Sequence, residues 1–176
     1  MRVKVDKLIA LGAKLELARR NFYRYAQLIA PDFYKPDRNY LKVLCDSLQD
    51  FLSSDEDVLI MNLPPRHGKS RTASLFAEWL LGRDKTQKIM IGSYNERVSQ
   101  QFSKSVRDAI QTEKADDNIT VYSDIFPNTR IQYGDSAVNR WSLEGGYNNY
   151  LAISPSGSAT GVGAKEEKYY RKKLAY

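Results

Sequence analysis

The sequence predicts an α/β fold: a parallel sheet flanked by helices, with a phosphate-binding loop between one strand and the next helix. Two observations carry this. Apolar runs suited to buried strands, Val58-Leu59-Ile60-Met61 and Lys88-Ile89-Met90-Ile91-Gly92-Ser93, alternate with helical patterns. Between the first run and its helix lies Asn62-Leu63-Pro64-Pro65-Arg66-His67-Gly68-Lys69-Ser70, in the strand–loop–helix context that a Gly-Lys-Ser tripeptide needs to act on phosphates.

Length and composition bound the rest. At 176 residues the chain fits one domain with a sizeable core, and its apolar and charged contents are those of an ordinary globular protein. No apolar run reaches membrane-span length, and no signal-peptide core follows the basic start. One cysteine excludes an internal disulfide; Cys45 lies in an amphipathic pattern and is expected to be a small buried residue. One histidine beside it leaves no zinc constellation of His and Cys. The net charge of +6 is compatible with a polyanionic partner.

From the N-terminus, Leu8, Leu11, Leu15, Ala18, Phe22 and Tyr25 recur at steps of three and four, which predicts one helix with one apolar face. Arg19, Arg20 and Arg24 near its end suit the helix dipole, as a solvated face or as a basic arm for DNA or a partner subunit. After a loop with two prolines, Leu41, Leu44, Leu48, Phe51 and Leu52 predict a second helix. Tyr34 and Tyr40 are candidates to flank a base, with packing as the alternative.

In the loop, backbone N–H groups and the helix dipole would face phosphate oxygens. Lys69 would reach the β- and γ-phosphates and the Ser70 hydroxyl would bind Mg²⁺, while Gly68 would let the backbone approach without a Cβ in the way. A Walker A motif, G-x-x-x-x-G-K-[ST], would place Gly where Leu63 stands, and Pro64-Pro65 stiffen the loop. Arg66 adds a second cation. An amphipathic helix, Arg71–Leu81, leads out and stops at Gly82.

Beyond the second strand, Ser93 or Asn95 would cap a helix whose apolar stripe is Val98, Phe102, Val106 and Ile110, with Lys104 and Arg107 opposite. Asp124-Ile125-Phe126-Pro127 predicts a helical turn. Three short strands come next, around Thr129–Tyr133, Asn139–Leu143 and Tyr150–Ile153, the last two joined by a turn at Glu144–Asn149. Ser154–Gly163 is a small-residue loop, and Ala164–Tyr176 is charged and aromatic with no buried-strand pattern.

These segments together resemble the ATPase domain of the phage terminase large subunit, the motor that packages DNA into capsids. The carriers are Leu63–Ser70, Gly92-Ser93-Tyr94-Asn95, Ile125–Arg130, Asn139-Arg140-Trp141, Tyr150-Leu151-Ala152 and Thr160-Gly161-Val162-Gly163-Ala164. The resemblance spans roughly residues 20–164 and implies a P-loop NTPase-like sheet, incomplete at its C-terminal side. It divides the chain into an N-terminal helical segment (1–54), a partial P-loop core (55–164) and a tail outside the family pattern (165–176). It implies that ATP and Mg²⁺ bind at Pro65, Arg66, His67, Gly68, Lys69 and Ser70, with Arg66 and Lys69 on the phosphates and Ser70 on the metal. It further implies double-stranded DNA, a portal and a small terminase subunit as partners, no membrane, and a phage- or prophage-encoded origin in the bacterial cytoplasm. The alternative is a non-catalytic nucleotide- or DNA-binding remnant.

One family element is missing. Where the apolar strand with paired acids (Walker B) should follow Gly161–Ala164, the sequence has Lys165-Glu166-Glu167-Lys168. Ile119–Asp124 is a decoy, an alternating run ending in one acid but out of the family order. The edge of the phosphate-loop strand is therefore expected to be left open or filled by another segment.

Overall fold

Asn21 divides the N-terminal helical pattern in two. The structure, a computed structural model, describes residues 2–155 and 173–175. It has α1 at Arg2–Arg20 and α2 at Phe22–Ile29. Asn21 is extended and its side chain accepts the Arg24 N–H at 2.9 Å, capping α2. The predicted single face therefore breaks. Phe22, Tyr23, Tyr25 and Ala26 are buried, whereas Leu8 and Leu11 are exposed. Helix α3, Asn39–Ser53, buries Leu41, Leu44, Cys45, Leu48 and Phe51 as the spacing requires. It also grips the break. The Gln49 side chain accepts the Phe22 N–H at 2.7 Å and donates to the Arg20 carbonyl at 3.4 Å. Burial, with the charge of Asp46, pushes the Cys45 thiol up to about 12, so it stays neutral and unreactive near pH 7.

Strand β1, Val58–Ile60, leads to the loop, and helix α4, Lys69–Arg83, leads away. Every residue of α4 from Thr72 to Trp79 is buried, more than two turns, so this is an enclosed core helix and not the amphipathic one predicted. It ends one residue beyond Gly82. A Cβ at Gly82 would collide with the Phe126 ring, so close packing, and not the helix end, calls for glycine there.

The remaining elements are β2 (Ile89–Gly92), α5 (Glu96–Gln111), α6 (Tyr122–Ile125), β3 (Ile131–Ser136), β4 (Arg140–Leu143), β5 (Tyr150–Ile153) and β6 (Lys173–Ala175). The strands form two sheets among the described residues. One is the parallel pair β1–β6, with Leu59 opposite Leu174. The tail thus contributes a strand where the residue pattern predicted none. A three-residue strand needs only its backbone to pair.

The other sheet has the order β2-β5-β4-β3 and is mixed. Strands β2 and β5 are parallel, while β5–β4 and β4–β3 are antiparallel. The all-parallel sheet predicted is corrected here, for a plain reason. A connection as short as Glu144–Asn149 cannot make the crossover that parallel neighbours require, so β4 and β5 must run antiparallel. The chain between β2 and β5 carries α5 and is long enough for a crossover.

By contacts the described residues divide into two units, one ending at Phe76 and including β6, the other beginning at Ala77. In the second, Asn149 is buried and fully used. Its Oδ1 accepts the Leu143 N–H at 2.9 Å, and its Nδ2 donates to the carbonyls of Lys85 at 2.6 Å and Gln87 at 2.9 Å. This ties the β4–β5 turn to the segment entering β2. Asn95 caps α5 by accepting the Arg97 N–H at 2.8 Å. The buried face of α5 is Ser99, Ser103, Val106 and Ile110, with Val98 and Phe102 half-buried at its side. Ser103 is inside because its hydroxyl accepts the Trp141 indole N–H at 2.9 Å, and Trp141 stacks on Tyr150 with centroids 4.9 Å apart.

Candidate phosphate-binding loop

Between β1 and α4 the chain turns through Pro65-Arg66-His67-Gly68. The His67 N–H points back to the Pro64 carbonyl at 3.4 Å, a long closing bond. Arg66 has φ 66° and Gly68 has φ 84°, so two residues with one between them are left-handed. Gly68 adopts this freely, but Arg66 does so at a cost of about 1 kcal/mol or more. Turns of this kind direct successive N–H groups toward one point and can form anion-binding nests. The Gly68 carbonyl accepts the Thr72 N–H at 2.8 Å and so opens α4. The N–H groups of the first turn, Lys69 to Arg71, then have no intrahelical acceptor, and they carry the positive end of the helix dipole. Lys69 is half-buried and Ser70 exposed at this turn; Pro65, Arg66 and His67 are exposed. The six sequence-predicted residues are therefore contiguous on one turn and helix start.

The space beside Gly68 that was expected to let a phosphate approach is taken by the protein itself. A Cβ there would collide with the Phe33 ring. The space left by the missing side chain is filled by an aromatic ring from the loop between α2 and α3. Two guanidiniums lie over that ring: Arg38 at 5.0 Å and Arg71 at 4.9 Å from its centroid. Arg38 also donates to the Phe33 carbonyl at 3.2 Å, and Arg71 lies 4.0 Å from the Asp32 carboxylate. Phe33 is the site residue that residue patterns missed. Arg38 lies close to it in sequence, but nothing in the residue pattern points to Gly68 or Arg71.

The tyrosine candidates separate. Tyr34 is 1% exposed and its hydroxyl bonds the buried Thr72 hydroxyl at 2.8 Å, so it is a packing strut. Tyr40 is 38% exposed, edge-on to the His67 ring with centroids 5.7 Å apart, and the His67 Nδ1 faces the Pro65 carbonyl at 3.0 Å.

A metal has little protein to hold it. Among the described residues there is no group of three His, Cys, Asp or Glu placed to bind an ion. At the loop the donor is the Ser70 hydroxyl, which fits a Mg²⁺ carried on nucleotide phosphates and does not make a metal site by itself. The decoy acid is accounted for. Asp124 sits in α6, not on a strand, where it accepts the Val121 N–H at 3.0 Å and pairs with Lys114 at 3.0 Å. Glu166, Glu167 and the segment Thr160–Ala164 lie outside the described residues.

Several of the basic residues named above are engaged close to their own elements. Arg19 and Arg20 both pair with Glu16, at 3.0 and 2.7 Å, and Arg24 donates to Gln27. Arg107 is held by the Ser136 carbonyl at 2.5 Å and by Asp108, leaving Lys104 exposed. A groove of about 840 Å³ between the end of α5 and β3 contains none of the loop residues. No helix among the described residues is long and apolar enough to cross a membrane. No family model, curated protein or solved structure gives a significant match to this chain.

Proposed function

We propose that the chain binds ATP through the Pro65–Ser70 loop, in a P-loop NTPase-like unit of the terminase large-subunit type. The observation that supports this most is the loop's backbone. Left-handed Arg66 and Gly68 precede a helix whose first N–H groups are free of intrahelical partners, and Lys69 and Ser70 stand on that first turn. In this role Lys69 and Arg66 neutralise phosphate oxygens. Pro65, His67 and Gly68 hold the turn, and Ser70 contributes a hydroxyl to a nucleotide-borne Mg²⁺. Association with double-stranded DNA, a portal and a small terminase subunit belongs to the same proposal and rests on the sequence resemblance.

The test is thermal unfolding of the purified chain with and without ATP–Mg²⁺. A ligand that binds only the folded state at a hundred times its Kd stabilises by about 2.7 kcal/mol. Lys69→Ala should remove the shift. Arg66→Gly should leave the free protein equally or more stable, because it relieves the left-handed backbone, yet shrink the shift. An ATP-independent melting curve for the folded wild-type chain would reject the proposal.

A further inference from the structure

Resting on that nucleotide-binding role, we propose that Phe33 is a positioning residue that holds Arg38 and Arg71 beside the loop, and that this arginine pair sets a preference for triphosphates over monophosphates. The ring occupies the space beside Gly68 that any other residue would fill, so it is seated on the loop backbone itself. Both guanidiniums are within cation–π range of it. A guanidinium offers five N–H donors in a planar fork suited to phosphate. Arg38 uses one on the Phe33 carbonyl, and the Arg71 side chain is 48% exposed with only a long approach to Asp32. Two like charges repel and would otherwise spread into solvent; their common aromatic neighbour keeps both close to Gly68. Their benefit grows with the number of ligand charges, so it falls mainly on the triphosphate.

Affinities of ATP, AMP and inorganic tripolyphosphate are measured by calorimetry on the full chain and on Phe33→Ala, Phe33→Leu, Arg38→Gln and Arg71→Gln. Phe33→Ala should lower the ATP-to-AMP affinity ratio about fivefold or more, as should each arginine variant. Phe33→Leu fills much of the space without a ring and should lower the ratio as Phe33→Ala does, which a merely structural defect would not predict. Equal loss for ATP and AMP, or a ratio unchanged in folded Phe33→Ala, overturns the proposal while leaving the ATP reading intact. If Phe33→Ala does not fold, an unchanged ratio in both arginine variants overturns it equally. A wild-type chain that binds tripolyphosphate as tightly as ATP rejects nucleotide recognition alone; a folded one that binds neither rejects both.

Discussion

The Tyr34 hydroxyl and the Thr72 hydroxyl meet at 2.8 Å, both on buried residues. This bond joins the loop that carries Phe33 to the first turn of α4, immediately after Lys69, Ser70 and Arg71. It therefore fixes where the ring stands relative to the helix start. Tyr34→Phe should cost about 1–3 kcal/mol, because it leaves the Thr72 hydroxyl buried with one partner fewer. Tyr34→Phe combined with Thr72→Val should cost less than the sum of the two single changes. Urea unfolding of the four proteins in this cycle measures it, and strict additivity would show that the two hydroxyls do not interact.

The pairing of β1 with β6 gives a second prediction. Successive N–H groups along a strand point to opposite sides, so one of Lys173 and Leu174 turns its N–H toward β1. Replacing both by proline removes that donor whichever it is. The variant should lose about 1–3 kcal/mol, and Val58–Ile60 amides should exchange faster with solvent. It should also aggregate more readily, because the edge of β1 is then open. Unchanged stability and exchange would mean that β6 lends β1 nothing.

Range decides which features the residues disclose and which they hide. Helix α3 and the strands β3, β4 and β5 are legible because side-chain period and turn residues act over a few positions. The Glu144–Asn149 turn is legible too, but alternating strand and helix patterns point to a parallel sheet, and the short turn overrides them to make it mixed. The apolar stripe expected for α5 does not include Ser99 and Ser103, which are buried. Ser103 faces inward because Trp141, far along the chain, needs an acceptor there. The loop is a local motif, and the contiguity of its six residues comes from that. Phe33 stays hidden, since nothing near it in sequence announces Gly68 or Arg71. Strand β6 is hidden for a similar reason, being selected by an open backbone edge and not by its own apolar pattern.

The last prediction concerns turnover. Phosphoryl transfer to water is driven by positioning and electrostatics, and it needs a group to orient the attacking water beside the phosphates. The loop supplies cations: Arg66 and Lys69 from the motif, with Arg71 on the same helix start. Among the described residues, Asp32 lies 4.0 Å from Arg71 of this helix start, where it offsets a cation. Asp124 is committed elsewhere, to the Val121 N–H and to Lys114. The chain should therefore bind ATP but release phosphate little faster than Lys69→Ala does. Asp124→Ala should lower stability by about 1 kcal/mol through loss of its cap and leave phosphate release unchanged. A steady-state phosphate-release assay with Mg²⁺ and ATP, run beside urea unfolding, separates the two effects. A wild-type rate well above the Lys69→Ala background would show that an acid does reach the nucleotide, and Asp32→Asn, Glu166→Gln and Glu167→Gln would then identify it.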